Sequence, residues 1–174
     1  TAIQQKIEQI SKMKGIETCH MDSVFNSIIG DIQAYNLQLD SVVTLIRLRG
    51  YKTSGFEGQL LSTIKKIEKQ GFVSKEALSR INAFEKEYFM HGDKNYVDSI
   101  NYMVEELSKQ FLNSSYLSEM LRKYNLTFTQ LAYLDEQLGL NQKEGMRINL
   151  DQLAEEIGVK FSFLIDSVDV YENL

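Results

Sequence analysis

The residues best able to do chemistry in this chain of 174 residues are its one cysteine and two histidines. Cys19 and His20 are neighbours, and neighbouring side chains on a helix point about 100° apart, so they do not make a nucleophile and its base. His91-Gly92-Asp93 is typical of a turn before a helix that Asp93 or Asn95 caps. Neither histidine lies in a motif with metal-ligand spacing. We therefore expect no catalytic residue, no metal and no cofactor.

Phosphate ligands are also disfavoured by the sequence. The stretch Gly55-Phe56-Glu57-Gly58 lacks the Lys-Ser/Thr pair that completes a phosphate-binding loop. The chain has 19 lysines and arginines against 24 acidic residues, a formal charge of −5. An acidic chain repels a phosphate backbone, so nucleic acid is not the favoured partner.

The cysteine count and the apolar stretches predict a cytoplasmic protein without a membrane span. One cysteine cannot form an internal disulfide, and the first residues lack the pattern of a signal peptide. The longest apolar stretches, Ser41 to Leu48 and Val159 to Ile165, are too short to cross a bilayer of about 30 Å.

The elements that must position any site are predicted to be helices. The chain has no proline, the residue that most often breaks helices, and its apolar residues recur at helical spacing almost throughout. Reciprocal capping pairs predict helix starts at Ser54 with Glu57, Thr127 with Gln130, and Asn149 with Gln152. Breaks are predicted at 50–55, 70–71, 91–93, 113–115 and 139–145. Together these signals predict an all-α fold of about nine or ten helices.

A weak internal repeat predicts how the helices are grouped. An offset of 75 residues places Val42 on Leu117 and Val73 on Ile148, and 36 residues separate the apolar positions within each copy. We therefore predict four helix-loop-helix units in two pairs, at 22–92 and 93–157, with an N-terminal helix in 1–21 and a C-terminal helix in 158–174.

The loop with the best-matched spacing is Lys66 to Ala77, where Gly71 stands at position 6 and Val73 at position 8. This stretch resembles the EF-hand loops of the calmodulin and myosin-light-chain family, which need a sharp turn at the glycine and an aliphatic residue that pairs with the partner loop. Asn141 to Gln152 is a poorer match. The stretches around Leu37 and Leu112 share only the hydrophobic anchor.

The resemblance implies a fold that does not bind calcium. Calcium needs carboxylates at loop positions 1, 3 and 12, and the best loop offers Lys66, Glu68 and Ala77. Silent hands of this kind imply a light-chain-like function, in which an apolar groove binds an amphipathic, partly basic helix of a partner. The predicted partner-binding residues are flexible methionines and acidic rim residues: Met103, Met120, Met146, Glu105 and Glu106.

A second stretch favours another interpretation. Leu126-Thr127 and the run Leu153-Ala154-Glu155-Glu156-Ile157-Gly158-Val159 resemble helix-turn-helix proteins of the MarR and SarA type. The resemblance implies a recognition helix from Lys160 to Tyr171. That segment carries Asp166 and Asp169, which repel DNA.

The sequence therefore predicts a non-enzymatic helical adaptor. A helix-turn-helix regulator, or a helical domain of an effector or enzyme with an unrecognised site, are the alternatives.

Overall fold

The computed structural model describes residues 22–111, 113–140 and 144–172, without the side chains of 22 and 168–172. This part of the chain is all helical and contains no strand, which confirms the predicted all-α class. Its helices are α1 (Asp22–Arg49), α2 (Gly55–Gln70), α3 (Lys75–His91), α4 (Lys94–Gln110), α5 (Ser115–Leu138) and α6 (Met146–Glu172).

The predicted helix breaks are correct, because all five coincide with the ends of observed helices. Gly71, Gly92 and Gly139 follow the C-termini of α2, α3 and α5 in the left-handed conformation that glycine adopts at low cost. Asp93 caps α4 by accepting a hydrogen bond from the amide of Asn95 at 2.9 Å.

The described residues form six helices, so the predicted nine or ten is wrong, and the N-terminal helix predicted in 1–21 lies outside the described residues. Two expected helix starts fall inside longer helices. Thr127 lies within α5, where its hydroxyl donates to the carbonyl of Lys123 at 2.8 Å instead of capping a new helix. Asn149 lies within α6. The segment from Lys160 to Tyr171, which the helix-turn-helix resemblance implies to be a separate recognition helix, is the second half of one continuous helix. A capping pair costs little inside a helix whose apolar face is buried.

The loop predicted over 66–77 is also shorter than expected. Residues 71–74 alone connect α2 and α3, and Ser74 caps α3 by accepting from the amide of Ala77 at 3.1 Å. Val73 is buried as predicted, but Leu37 is 72% exposed and is therefore not a hydrophobic anchor. Leu112 lies outside the described residues.

Residues 42–147 form one compact unit around α5. Pairs such as Lys94 with Glu136 and Asn101 with Thr129 show that α4 runs antiparallel to α5. Glu85 contacts Tyr124, and Tyr88 contacts Ala132, so α3 runs parallel to α5. The packed aromatic rings of Tyr88, Phe89, Tyr124 and Phe128 fill the space between these helices.

A tight loop joins α1 to α2 at the edge of this unit. Gly50 has a φ of +80°, and a Cβ there would lie 1.9 Å from the carbonyl oxygen of Ser54. Helix α2 begins where Ser54 predicts, but the Ser54 hydroxyl bonds to the backbone of Tyr51 and forms no helix cap. Glu57 instead accepts from the amide of Lys52 at 3.0 Å.

The second compact unit combines the start of α1 with most of α6, at 22–41 and 148–172. Phe25 and Ile28 pack with Leu164 in a small apolar cluster. Lys160 donates from Nζ to Asp31 at 2.5 Å and to Ser27 at 2.8 Å. Phe25 and Ile28 of α1 contact Leu164 of α6, whereas Asp31, later in α1, contacts Lys160, earlier in α6. The two helices therefore run antiparallel.

Candidate functional site

A groove of about 460 Å³ between α3 and α4 is the candidate functional site. Its apolar floor includes Phe84, Met103 and Leu107, and Tyr102 stands at its side with 68% of its surface exposed. Charged residues from both helices line its rim: Glu76, Arg80 and Glu106. An apolar floor with a charged rim suits a peptide segment that has one apolar face.

Helical periodicity positions these side chains. On α3 the lining residues Ala77, Arg80 and Phe84 are three and four residues apart, so they share one face. On α4 the fully buried positions Ile100 and Val104 point into the core. Met103 and Glu106 lie beside that buried stripe and are half-buried at the groove.

The structure brings two of the five predicted partner-binding residues together. Met103 and Glu106 line the same groove. Glu105 is exposed on α4 and pairs with Lys109 at 3.2 Å. Met120 packs against the core from α5, and Met146 is the first residue of α6. Neither Met120 nor Met146 lines the groove.

Sequence reasoning missed the α3 side of the groove. It did not single out Arg80 or Phe84 on α3 as binding residues, and it also missed Tyr102, beside Met103 on α4. The available signal was the apolar spacing of Ala77 and Phe84 on one helical face. That signal does not say which neighbouring helix leaves the face partly open.

The acidic rim is partly neutralised within α4. Lys109 donates to Glu106 at 2.9 Å, and hydrogen bonds to Glu106 and Glu105 raise the pKa of Lys109. Because these are exposed pairs between neighbouring residues of one helix, they are weak and exchangeable. A basic residue of a partner can therefore compete for the carboxylate of Glu106.

A buried ionic cluster lies elsewhere in the same unit. Arg49 donates from Nε to Oδ1 of Asp135 at 2.5 Å and from Nη1 to Glu57 at 3.0 Å, and its guanidinium lies 5.7 Å from the ring centre of Phe89. Burial raises the pKa of the Asp135 carboxyl, and the bond from Arg49 opposes this rise. The cluster ties the end of α1 to α5.

A smaller cavity of about 250 Å³ adjoins this cluster and includes Tyr88, Val97 and Tyr133 in its lining. Burial and the carboxylate of Asp135 raise the pKa of Tyr88 well above its ordinary value. The phenol therefore stays protonated at neutral pH. An ion pair between Lys94 and Glu136 at 2.8 Å lies at this cavity.

The described residues contain no group of three or more histidine, cysteine or acidic side chains able to hold a metal ion. Nε2 of His91 lies 3.3 Å from Oε2 of Glu87, one turn earlier on α3. Cys19 and His20 lie outside the described residues.

Within the described part of the chain, no helix is both long and apolar enough to span a membrane. Comparisons with protein-family models, curated proteins and solved structures found no match to this chain.

Proposed function

We propose that this protein is a non-enzymatic helical adaptor that binds an amphipathic, partly basic helix of a partner, without calcium, in the groove between α3 and α4. The observation that carries the proposal is the apolar floor of that groove, where Phe84, Met103 and Leu107 are flanked by the exposed ring of Tyr102.

Burial of apolar side chains would supply most of the binding free energy. A partner helix that inserts apolar residues at positions i, i+3 and i+7 covers both Met103 and Tyr102. Each fully buried aliphatic or aromatic side chain contributes about 1.5–3 kcal/mol before the cost of association. Methionine can adjust its shape to different anchors because its side chain is unbranched.

The charged rim defines the orientation and the charge of the bound helix. Glu76 and Glu106 attract lysine or arginine, and Arg80 attracts an acidic residue. A partner helix with two basic positions and one acidic position therefore matches this rim.

The experiment is affinity capture from an extract of the source cells with the full chain, in the presence of a calcium chelator. The proposal predicts a partner that binds the wild type but is lost from Met103→Gln and from Tyr102→Gln. Met90→Gln is the matched control, because Met90 is 60% exposed on α3 and does not line the groove.

One further measurement is needed to interpret the capture experiment. Circular dichroism must show that each variant keeps its helix content. Tyr102→Gln should not disturb folding, since the Tyr102 ring is mostly exposed, so loss of the partner from this variant reports on binding. The same set of captured proteins on all variants, or capture that needs calcium, would contradict the proposal.

A further inference from the structure

A second apolar groove lies within the unit of residues 22–41 and 148–172. Its volume is about 370 Å³, and it runs between α1 and α6. Val24, Val159 and Phe163 supply its apolar surface. Val159 is 66% exposed and Phe163 is 57% exposed, on a face of α6 away from the buried Leu164.

The one lysine that lines this groove already bonds across α1 and α6. Lys160 Nζ bonds to the carboxylate of Asp31 and to the hydroxyl of Ser27. Its charge is therefore balanced inside the unit. The groove offers apolar surface without an uncompensated positive charge in its lining.

The surroundings of the groove are strongly acidic. Among the described side chains of 23–41 and 148–167, six are acidic and one, Lys160, is basic. The exposed carboxylates among them include Asp151, Glu155, Glu156 and Asp166. Residues 42–147 contain 13 acidic and 15 basic residues, so the acidic excess belongs to the helix pair.

This charge pattern selects one class of occupant. A second copy of the same face would bring two acidic surfaces together, and like charges disfavour that contact. Residues 1–21 carry three lysines and two glutamates, which compensate little of the acidic excess. We propose that this groove docks a lysine- or arginine-rich amphipathic helix of a partner protein, with its apolar face on Val159 and Phe163.

This docking surface goes beyond the groove between α3 and α4, and either one can exist without the other. The expected contact combines apolar burial with long-range attraction. Burial of the Phe163 ring supplies the affinity, and the acidic residues accelerate association and make binding weaker as salt rises.

The test uses a fluorescent model peptide of 18 residues, with leucines at helical spacing on one face and lysines on the other, titrated with the full chain by anisotropy. A scrambled peptide of the same composition has no continuous apolar face and serves as the peptide control. The proposal predicts that the amphipathic peptide binds at least ten times more tightly than the scrambled one.

Three variants locate the binding surface. Phe163→Gln should weaken binding at least about tenfold without a change in net charge, because it removes one buried aromatic side chain. Glu155→Gln with Glu156→Gln should weaken binding severalfold and reduce its salt dependence. Tyr116→Gln, at an exposed tyrosine of α5, should leave the affinity unchanged.

Each remaining outcome has a defined meaning. Equal binding by the wild type and Phe163→Gln would show attraction by charge alone and overturn the proposal. Absence of peptide binding, or self-association of the chain through this face, would also overturn it. The same titrations are repeated in a Tyr102→Gln background, which removes the Tyr102 ring from the groove between α3 and α4. The loss caused by Phe163→Gln should remain in that background, so failure of the groove between α3 and α4 leaves this result unaffected.

Discussion

Removal of the Arg49 guanidinium should destabilise the fold strongly, because it leaves a buried carboxylate without its partner. Asp135 is only 4% exposed and receives two hydrogen bonds from Arg49, at 2.5 and 3.5 Å. Arg49→Met keeps a long apolar side chain near Phe89 but removes both bonds. Breaking a buried pair from one side costs about 3–5 kcal/mol. Since Arg49 keeps 18% of its side chain exposed, we expect a cost at the lower end of this range, about 3 kcal/mol.

The matched control is Lys94→Met, which breaks the exposed pair with Glu136 and should cost at most about 1 kcal/mol. The double variant Arg49→Met with Asp135→Leu removes both buried charges, so it should be more stable than Arg49→Met alone. Urea unfolding followed by circular dichroism and tyrosine fluorescence measures all three, since the chain has nine tyrosines and no tryptophan. An Arg49→Met cost within about 1 kcal/mol of the Lys94→Met cost, or a double variant less stable than the single one, would refute this reasoning.

Three other predictions concern stability, the first two measured by urea unfolding and the third by thermal unfolding. Gly30→Ala and Gly158→Ala should each stabilise the chain by about 0.5–1 kcal/mol, because both glycines lie inside helices with open space for a Cβ. Gly71 has the same open space but a φ of +71°, so Gly71→Ala should destabilise the chain. Equal effects at the three sites would contradict this prediction. Burial raises the pKa of Glu85, although the hydrogen bond from Tyr124 opposes the rise, so the folded state binds this proton more tightly than the unfolded state. As pH falls through the folded pKa, the wild type should therefore gain stability relative to Glu85→Gln. A loss of stability over this pH range would contradict the prediction. Millimolar calcium should not move the thermal midpoint, because the stretch that resembles an EF-hand loop has Lys66 and Ala77 where two of the carboxylate ligands are needed. A rise of several degrees would show a missed ligand set.

Local signals in the sequence predict the ends of the helices well and their number poorly. Glycine at 71, 92 and 139 marks real C-termini, because the left-handed backbone that ends a helix favours glycine there. The pairs that begin at Thr127 and Asn149 have the same local chemistry as a cap, yet both lie inside helices. Whether a helix continues through such a pair depends on tertiary burial, as the buried Thr127 illustrates.

The candidate groove was predictable only from one side. Met103 and Glu106 follow from side-chain type and helical spacing on α4. Whether residues of α3 such as Phe84 line a groove depends on how far apart α3 and α4 lie, and no pattern in a single helix determines that distance. The ion pair of Arg49 with Asp135 joins positions 86 residues apart, so local spacing carries no signal for it.

Photo-crosslinking from the groove tests the central claim most directly. A photoreactive phenylalanine analogue replaces Tyr102 in the full chain, and the same analogue at Tyr116, which is 51% exposed on α5, is the control. In source cells treated with a calcium chelator, the account predicts a crosslink from position 102 to an amphipathic helix of a partner and none from position 116. Identical crosslinks from both positions, or none from position 102, would contradict it.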